Sequence, residues 1–179
     1  MREWVNLNGG KMKKPNLRLL LFEECDRACE GCCNKDWDMQ AVPVAESYED
    51  YELIMLTGGE PMIKPALIHW TIAEIRRQNH AVGIVLYTAN TTSKAWKRMI
   101  PYLDGITMTI HEQSDVQNFM FWLGQNDFPS WMTLRLNVFK GIEFDAGIMD
   151  FLEKSWQVKK DIEWIKDCPV PSNEDFRRL

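Results

Sequence analysis

Nowhere does this 179-residue chain run through the roughly eighteen consecutive apolar residues that a membrane-spanning helix needs. Its opening, MREWVNLNGGKMKK, also lacks the apolar stretch of a secretion signal. A cytoplasmic protein with no membrane partner is therefore expected. Positive charge is scarce as well. Lys and Arg number 21 against 26 Asp and Glu, for a formal net charge of -5. The one basic cluster, Lys11, Lys13 and Lys14 ahead of Pro15, reads as a short solvated face, so no nucleic-acid partner is expected. Internal repeats, low-complexity tracts and interdomain linkers are missing too. Apolar residues make up 45% and charged residues 26% of the chain, which argues against intrinsic disorder. The length suits one well-buried core, so a single domain over residues 1–179 is expected, its core at about 16–167. The eight tryptophans mainly add packing area.

From residue 17 onward, short apolar runs alternate with stretches of helical period, the pattern of repeated βα units and a parallel sheet. Strands are expected at 17–22, 53–57, 82–87, 106–110, 132–139 and 162–165. Between them, Ile68, Ile72 and Ile75 mark one helix face, and Trp96, Met99, Ile100 and Leu103 another after a cap at Ser93. Ser114 and Gln117 read as a capping box for a helix carrying Val116, Phe119, Met120 and Leu123, stopped by Gly124. A last helix carries Ile148, Phe151 and Leu152. Residues 36–50 read as a loop, and the tail from Cys168 as irregular.

The fourth and fifth strands alternate in a telling way. Ile106, Met108 and Ile110 interleave with Thr107, Thr109 and His111, and Leu134, Leu136 and Val138 interleave with Arg135 and Asn137. If helices cover the apolar face, a polar face points inward, where a closed barrel normally holds packed aliphatics. Such a wall suits a sheet that surrounds a polar ligand; the exposed face of a mixed antiparallel sheet is the alternative.

Four of the five cysteines fall between positions 25 and 33. In a reducing compartment a disulfide framework is out of place, which moves metal or redox chemistry forward. Cys25, Cys29 and Cys32 follow C-x3-C-x2-C on the loop after the first strand, at the carboxyl end of the sheet, where ligand sites gather. Three thiolates bind three irons of a [4Fe-4S] cluster and leave the fourth open to a ligand. Adjacency to Cys32 makes Cys33 a poor closing ligand, and a lone cysteine such as Cys168 is more often a small buried hydrophobe. Zinc held by the three thiols and a histidine such as His111 is the alternative.

Together with Leu56-Thr57-Gly58-Gly59-Glu60-Pro61 at the end of the second strand, this spacing resembles the radical S-adenosylmethionine (radical SAM) superfamily. The resemblance covers roughly residues 16–140 and implies an α/β fold, a partial (β/α)6 barrel of parallel strands. By this resemblance Cys25, Cys29 and Cys32 bind the [4Fe-4S] cluster, whose fourth iron is chelated by S-adenosyl-L-methionine (SAM). Gly58, Gly59 and Glu60 would hold the SAM amino group. Thr88 and Asn90, after the third strand, stand where the superfamily places ribose or carboxylate contacts, although an ordinary turn and helix cap reads equally well there. Thr109, His111, Arg135 and Asn137 are further candidates for the SAM carboxylate and ribose; for Arg135 the competing partner is a protein carboxylate, and for His111 a hydrogen-bonded place in the wall. The implied chemistry is reductive cleavage of SAM to a 5′-deoxyadenosyl radical that abstracts hydrogen, served by an electron donor of flavodoxin or ferredoxin type. Cys29-Glu30-Gly31-Cys32-Cys33-Asn34, followed by Trp37, is similar to activases of glycyl-radical enzymes such as anaerobic ribonucleotide reductase, which implies a protein substrate with a glycyl-radical site. The GGE in place of their more common GGD departs from that pattern. Enzymes resembling the deazaguanine synthases, peptide-modifying enzymes, and a noncatalytic iron–sulfur or zinc protein are the alternatives.

Overall fold

A computed structural model describes residues 16–179; Lys11, Lys13, Lys14 and Pro15 lie outside the described residues. Seven strands form one sheet in the order β6-β5-β4-β3-β2-β1-β7. They are β1 (Asn16–Leu20), β2 (Leu53–Thr57), β3 (Gly83–Thr88), β4 (Gly105–Ile110), β5 (Thr133–Phe139), β6 (Gln157–Ile162) and β7 (Glu174–Arg178). All six pairings are parallel, which overturns the antiparallel alternative. Four helices punctuate the strands: α1 (Pro65–Gln78), α2 (Trp96–Met99), α3 (Gln113–Gln125) and α4 (Ala146–Ser155).

Parity along the strands explains the layering, since alternate residues face opposite sides. Leu17 and Leu19, Ile54 and Leu56, Ile84 and Leu86, Met108 and Ile110, and Leu136 and Val138 join one core with helix residues such as Ile68, Met99, Phe119 and Leu152. The helices thus share one face of the sheet. In a flat doubly wound sheet they would divide between two, so the arrangement is compatible with a partial barrel whose helix-free face turns inward. Towards β1 and β7 that second face carries a small apolar cluster of Leu20, Met39 and Val42, with Trp37 and Phe176 packed against it.

Four expectations need correction. The sixth strand is Gln157–Ile162 rather than 162–165, and it is mostly exposed; its sequence QVKKDI carries the charges that protect a sheet edge, so it has no apolar run to find. The tail is not simply irregular, because Glu174–Arg178 adds a strand beside β1. Six expected strands become seven, the last built largely of charged residues. The cap of α3 is Glu112 with Asp115, not Ser114 with Gln117, and the helix runs one residue past Gly124. Helix α2 is cut to one turn as the chain tightens into a 3-10 turn at Ile100–Tyr102, which contains Pro101.

Candidate functional site

β1 delivers the chain to the carboxyl end of the sheet, and the cysteine loop begins there by fastening to the end of β2. Leu21 N–H donates to Thr57 O (2.9 Å), Gly59 N–H to Phe22 O (2.6 Å) and Glu60 N–H to Glu24 O (2.9 Å). Gly58 has φ of +124°, and a Cβ at Gly59 would lie 1.7 Å from the Glu24 carbonyl oxygen. The paired glycines therefore seat one backbone against another. Cys25, Cys29 and Cys32 are free thiols, the first exposed and the others half-buried. Partial burial pushes the Cys25 thiol above its ordinary value, and the charges of Glu60 and Asp26 add to the effect.

The other two cysteines are spoken for. Cys33 and Cys168, 135 residues apart, form a disulfide with Cα atoms 5.4 Å apart, against the expectation that disulfides are out of place. Trp37 Nε1 donates to Cys168 O (3.1 Å), tying the same two segments. The thiols left over are those of the C-x3-C-x2-C motif. Among the described residues, no three His, Cys, Asp or Glu side chains gather around a point that could hold a metal ion.

Glu60 is almost fully buried, and its carboxylate is occupied by the protein. Oε1 accepts from Met62 N–H (2.9 Å) and Thr88 Oγ1 (2.5 Å), and Oε2 from Ala89 N–H (2.9 Å). Burial raises its pKa, with these donors opposing the shift. Thr88 and Glu60 are therefore brought together, each satisfying the other. Asn90 Nδ2 donates to Asp26 of the cysteine loop (3.1 Å), while its Oδ1 accepts from Thr92 N–H and Ser93 N–H. The stretch after β3 is thus a turn, and it touches the cysteine loop.

A clasp between Arg27 and Asp115 is not visible in the sequence. Arg27, inside the cysteine motif, donates through Nη1 and Nη2 to the two Asp115 oxygens at 2.8 and 2.7 Å. Asp115 also accepts from His111 N–H and Glu112 N–H, so the start of α3 is held to the loop. Burial works against both charges, yet the pairing outweighs it, lowering the Asp115 pKa and raising that of Arg27. An acid at the third position of a helix that follows a strand was the only available signal.

His111 stacks on Trp164 (centroids 5.3 Å apart, planes 4° apart) and packs against Phe139 (4.9 Å). Burial, aided by the Arg27 charge, pushes its pKa down from 6.5 to about 4. Between those values the unfolded chain takes up a proton that the folded ring refuses, so stability is full above pH 6.5 and falls as the pH drops towards 4. The full linkage is worth about 3 kcal/mol; for a ring that keeps some solvent contact we expect about 1–2 kcal/mol. Urea unfolding across this range checks it, and His111→Phe, which keeps the stack, should flatten the slope.

These parts surround a cavity of about 650 Å³ whose lining includes Asp26, Cys29, Asn90, His111, Asp115 and Trp164. With Arg27 neutralised by Asp115, the carboxylates of Asp26, Glu30 and Glu112 leave the lining negative, which favours a cationic guest. Trp164 lies directly against Gly31, where a Cβ would meet its ring at 2.5 Å; an aromatic from the far end of the chain occupies the space beside the third motif cysteine. Thr109, Arg135 and Asn137 lie on the same sheet face as His111 but farther from the strand ends, and Arg135 Nε donates to Gln157 Oε1 (3.2 Å) rather than to a carboxylate. No protein-family model matches the sequence, and no curated protein matches it.

Proposed function

We propose that the chain is a radical SAM enzyme, with Cys25, Cys29 and Cys32 as the ligands of a [4Fe-4S] cluster. The observation that carries this reading is the sorting of the cysteines: Cys33 and Cys168 satisfy each other, and three free thiols remain on the loop after β1. These three thiolates would hold the cluster and leave one iron for SAM, and the bound cluster would supply the one-electron chemistry of reductive SAM cleavage. The protein's own work is positional. Glu60 and Thr88 fix the ends of β2 and β3 relative to each other, Gly58 and Gly59 let the loop lie on β2, and Arg27 with Asp115 anchors it to α3. The acidic lining receives the sulfonium and ammonium of SAM, and the His111–Trp164–Phe139 stack limits solvent at one wall. This chemistry calls for an electron donor of flavodoxin or ferredoxin type.

Two subclasses divide the sequence signals. Gly31, Asn34 and Trp37 favour an activase of a glycyl-radical protein. Gly31 and Trp37 also have structural work, however, under Trp164 and against Phe176 respectively. A small-molecule substrate is favoured by unpaired cations on the inner face. Anaerobic reconstitution with iron and sulfide, reduction and assay of 5′-deoxyadenosine from SAM tests the common chemistry. Product is expected from the native chain and none above background from Cys29→Ala; a loaded and reduced cluster that leaves SAM intact would overturn the proposal.

A further inference from the structure

We infer that the helix-free face of β4, β5 and β6 binds an anionic group of the substrate, a phosphate or a carboxylate. The inference rests on the proposed radical SAM reading only in calling the ligand a substrate. Register sets Thr107 beside Arg135 and Arg135 beside Gln157, then Thr109 beside Asn137 and Asn137 beside Lys159. Parity places all six side chains opposite the helices, because Met108, Leu136 and Val158 between them belong to or pack on the main core.

This chain has more acids than bases, yet neither Arg135 nor Lys159, on adjacent strands, has a carboxylate partner among the described residues. Arg135, half-buried, has the Gln157 amide oxygen as its one hydrogen-bond partner among the described residues. The side chains of Lys159, Asn137 and Thr109 make no hydrogen bond or ion pair among the described residues. Thr107, 2% exposed, has a buried Oγ1 with no partner. A guanidinium facing only an amide has no counter-charge, and an oxyanion supplies what is missing: two acceptor oxygens for the planar donors of Arg135, a counter-charge for Lys159, and acceptors for Asn137 and Thr109.

Location agrees with this use. Arg135 lies four residues before Phe139 on the same face, about 13 Å from the stacked wall at about 3.3 Å per residue. A small molecule anchored there by its anionic end extends its other end towards the cysteine loop.

The test needs no cluster, so its failure is separable from failure of SAM cleavage. The full chain, 15N-labelled and without iron, is titrated with inorganic phosphate and separately with succinate while amide shifts are followed. Saturable shifts centred on Thr107, Thr109, Arg135, Asn137 and Lys159 are expected, and tighter binding of one probe identifies the anion as phosphoryl or carboxylate. Arg135→Gln and Lys159→Gln should each weaken binding roughly tenfold. Lys159 is exposed on an edge strand, so its variant keeps the fold, as unchanged shifts elsewhere will report. No saturable response to either probe up to about 50 mM, or binding undiminished in both variants, overturns the inference.

Discussion

Gly59→Ala is expected to cost at least about 4 kcal/mol, or to prevent folding altogether, beyond the range of ordinary point substitutions. The new methyl would sit 1.7 Å from the Glu24 carbonyl oxygen and 2.8 Å from the Glu23 carbonyl carbon. Both are backbone atoms, so no rotamer change relieves the contact. The loop must lift from β2, and the Gly59-to-Phe22 and Glu60-to-Glu24 hydrogen bonds go with it. Because the loop carries Cys25, Cys29 and Cys32, the iron binding proposed for it should fail together with stability. Gly124→Ala is the internal control: nothing lies within 4 Å of the added Cβ, and within helix α3 alanine should stabilise by about 0.5–1 kcal/mol. Urea midpoints of the two variants should move in opposite directions. Equal stability of Gly59→Ala and the native chain would show that the loop does not lie on β2 as described.

The strands that were legible are those whose one face is buried under helices. β2 and β3 are short apolar runs, and β4 and β5 show strict alternation, because each has neighbours on both sides and a helix layer above. β6 and β7 sit at the two edges, where charged residues are favoured and apolar patterning is weak. Pairing, not pattern, makes Glu174–Arg178 a strand, and pairing across more than a hundred residues leaves no trace in a single sequence. The site divides along the same line. The C-x3-C-x2-C motif and the glycine pair are local, and were readable. The Arg27–Asp115 clasp, the Cys33–Cys168 bridge and Trp164 on Gly31 join segments distant in the chain, so the residues were visible but their partners were not. Arg135 shows the limit most clearly: its inward face could be read from alternation, whereas its depth below the cysteine loop came only with the register of β4 and β5.

Removal of the Glu60 carboxylate should be nearly as damaging as crowding Gly59, for a different reason. Glu60→Ala strands three donors at once, Met62 N–H, Ala89 N–H and the Thr88 hydroxyl. Two of these belong to the β3 end and one to the turn after β2, all in a site that water barely reaches. Each unsatisfied buried donor costs about 1–3 kcal/mol, and the hydroxyl can rotate to a new acceptor, so a loss of about 3–4 kcal/mol is expected. Glu60→Gln separates shape from charge. Its single carbonyl oxygen can keep the Met62 and Thr88 bonds, while its amide must face the Ala89 N–H, donor against donor; a loss of about 1–2 kcal/mol follows. If Glu60 instead served mainly to hold the SAM ammonium group, both substitutions would leave unfolding midpoints close to native and act on SAM affinity alone. Urea unfolding of the apo protein decides between the two, and the ordering Ala below Gln below native is the outcome that a three-donor clasp requires.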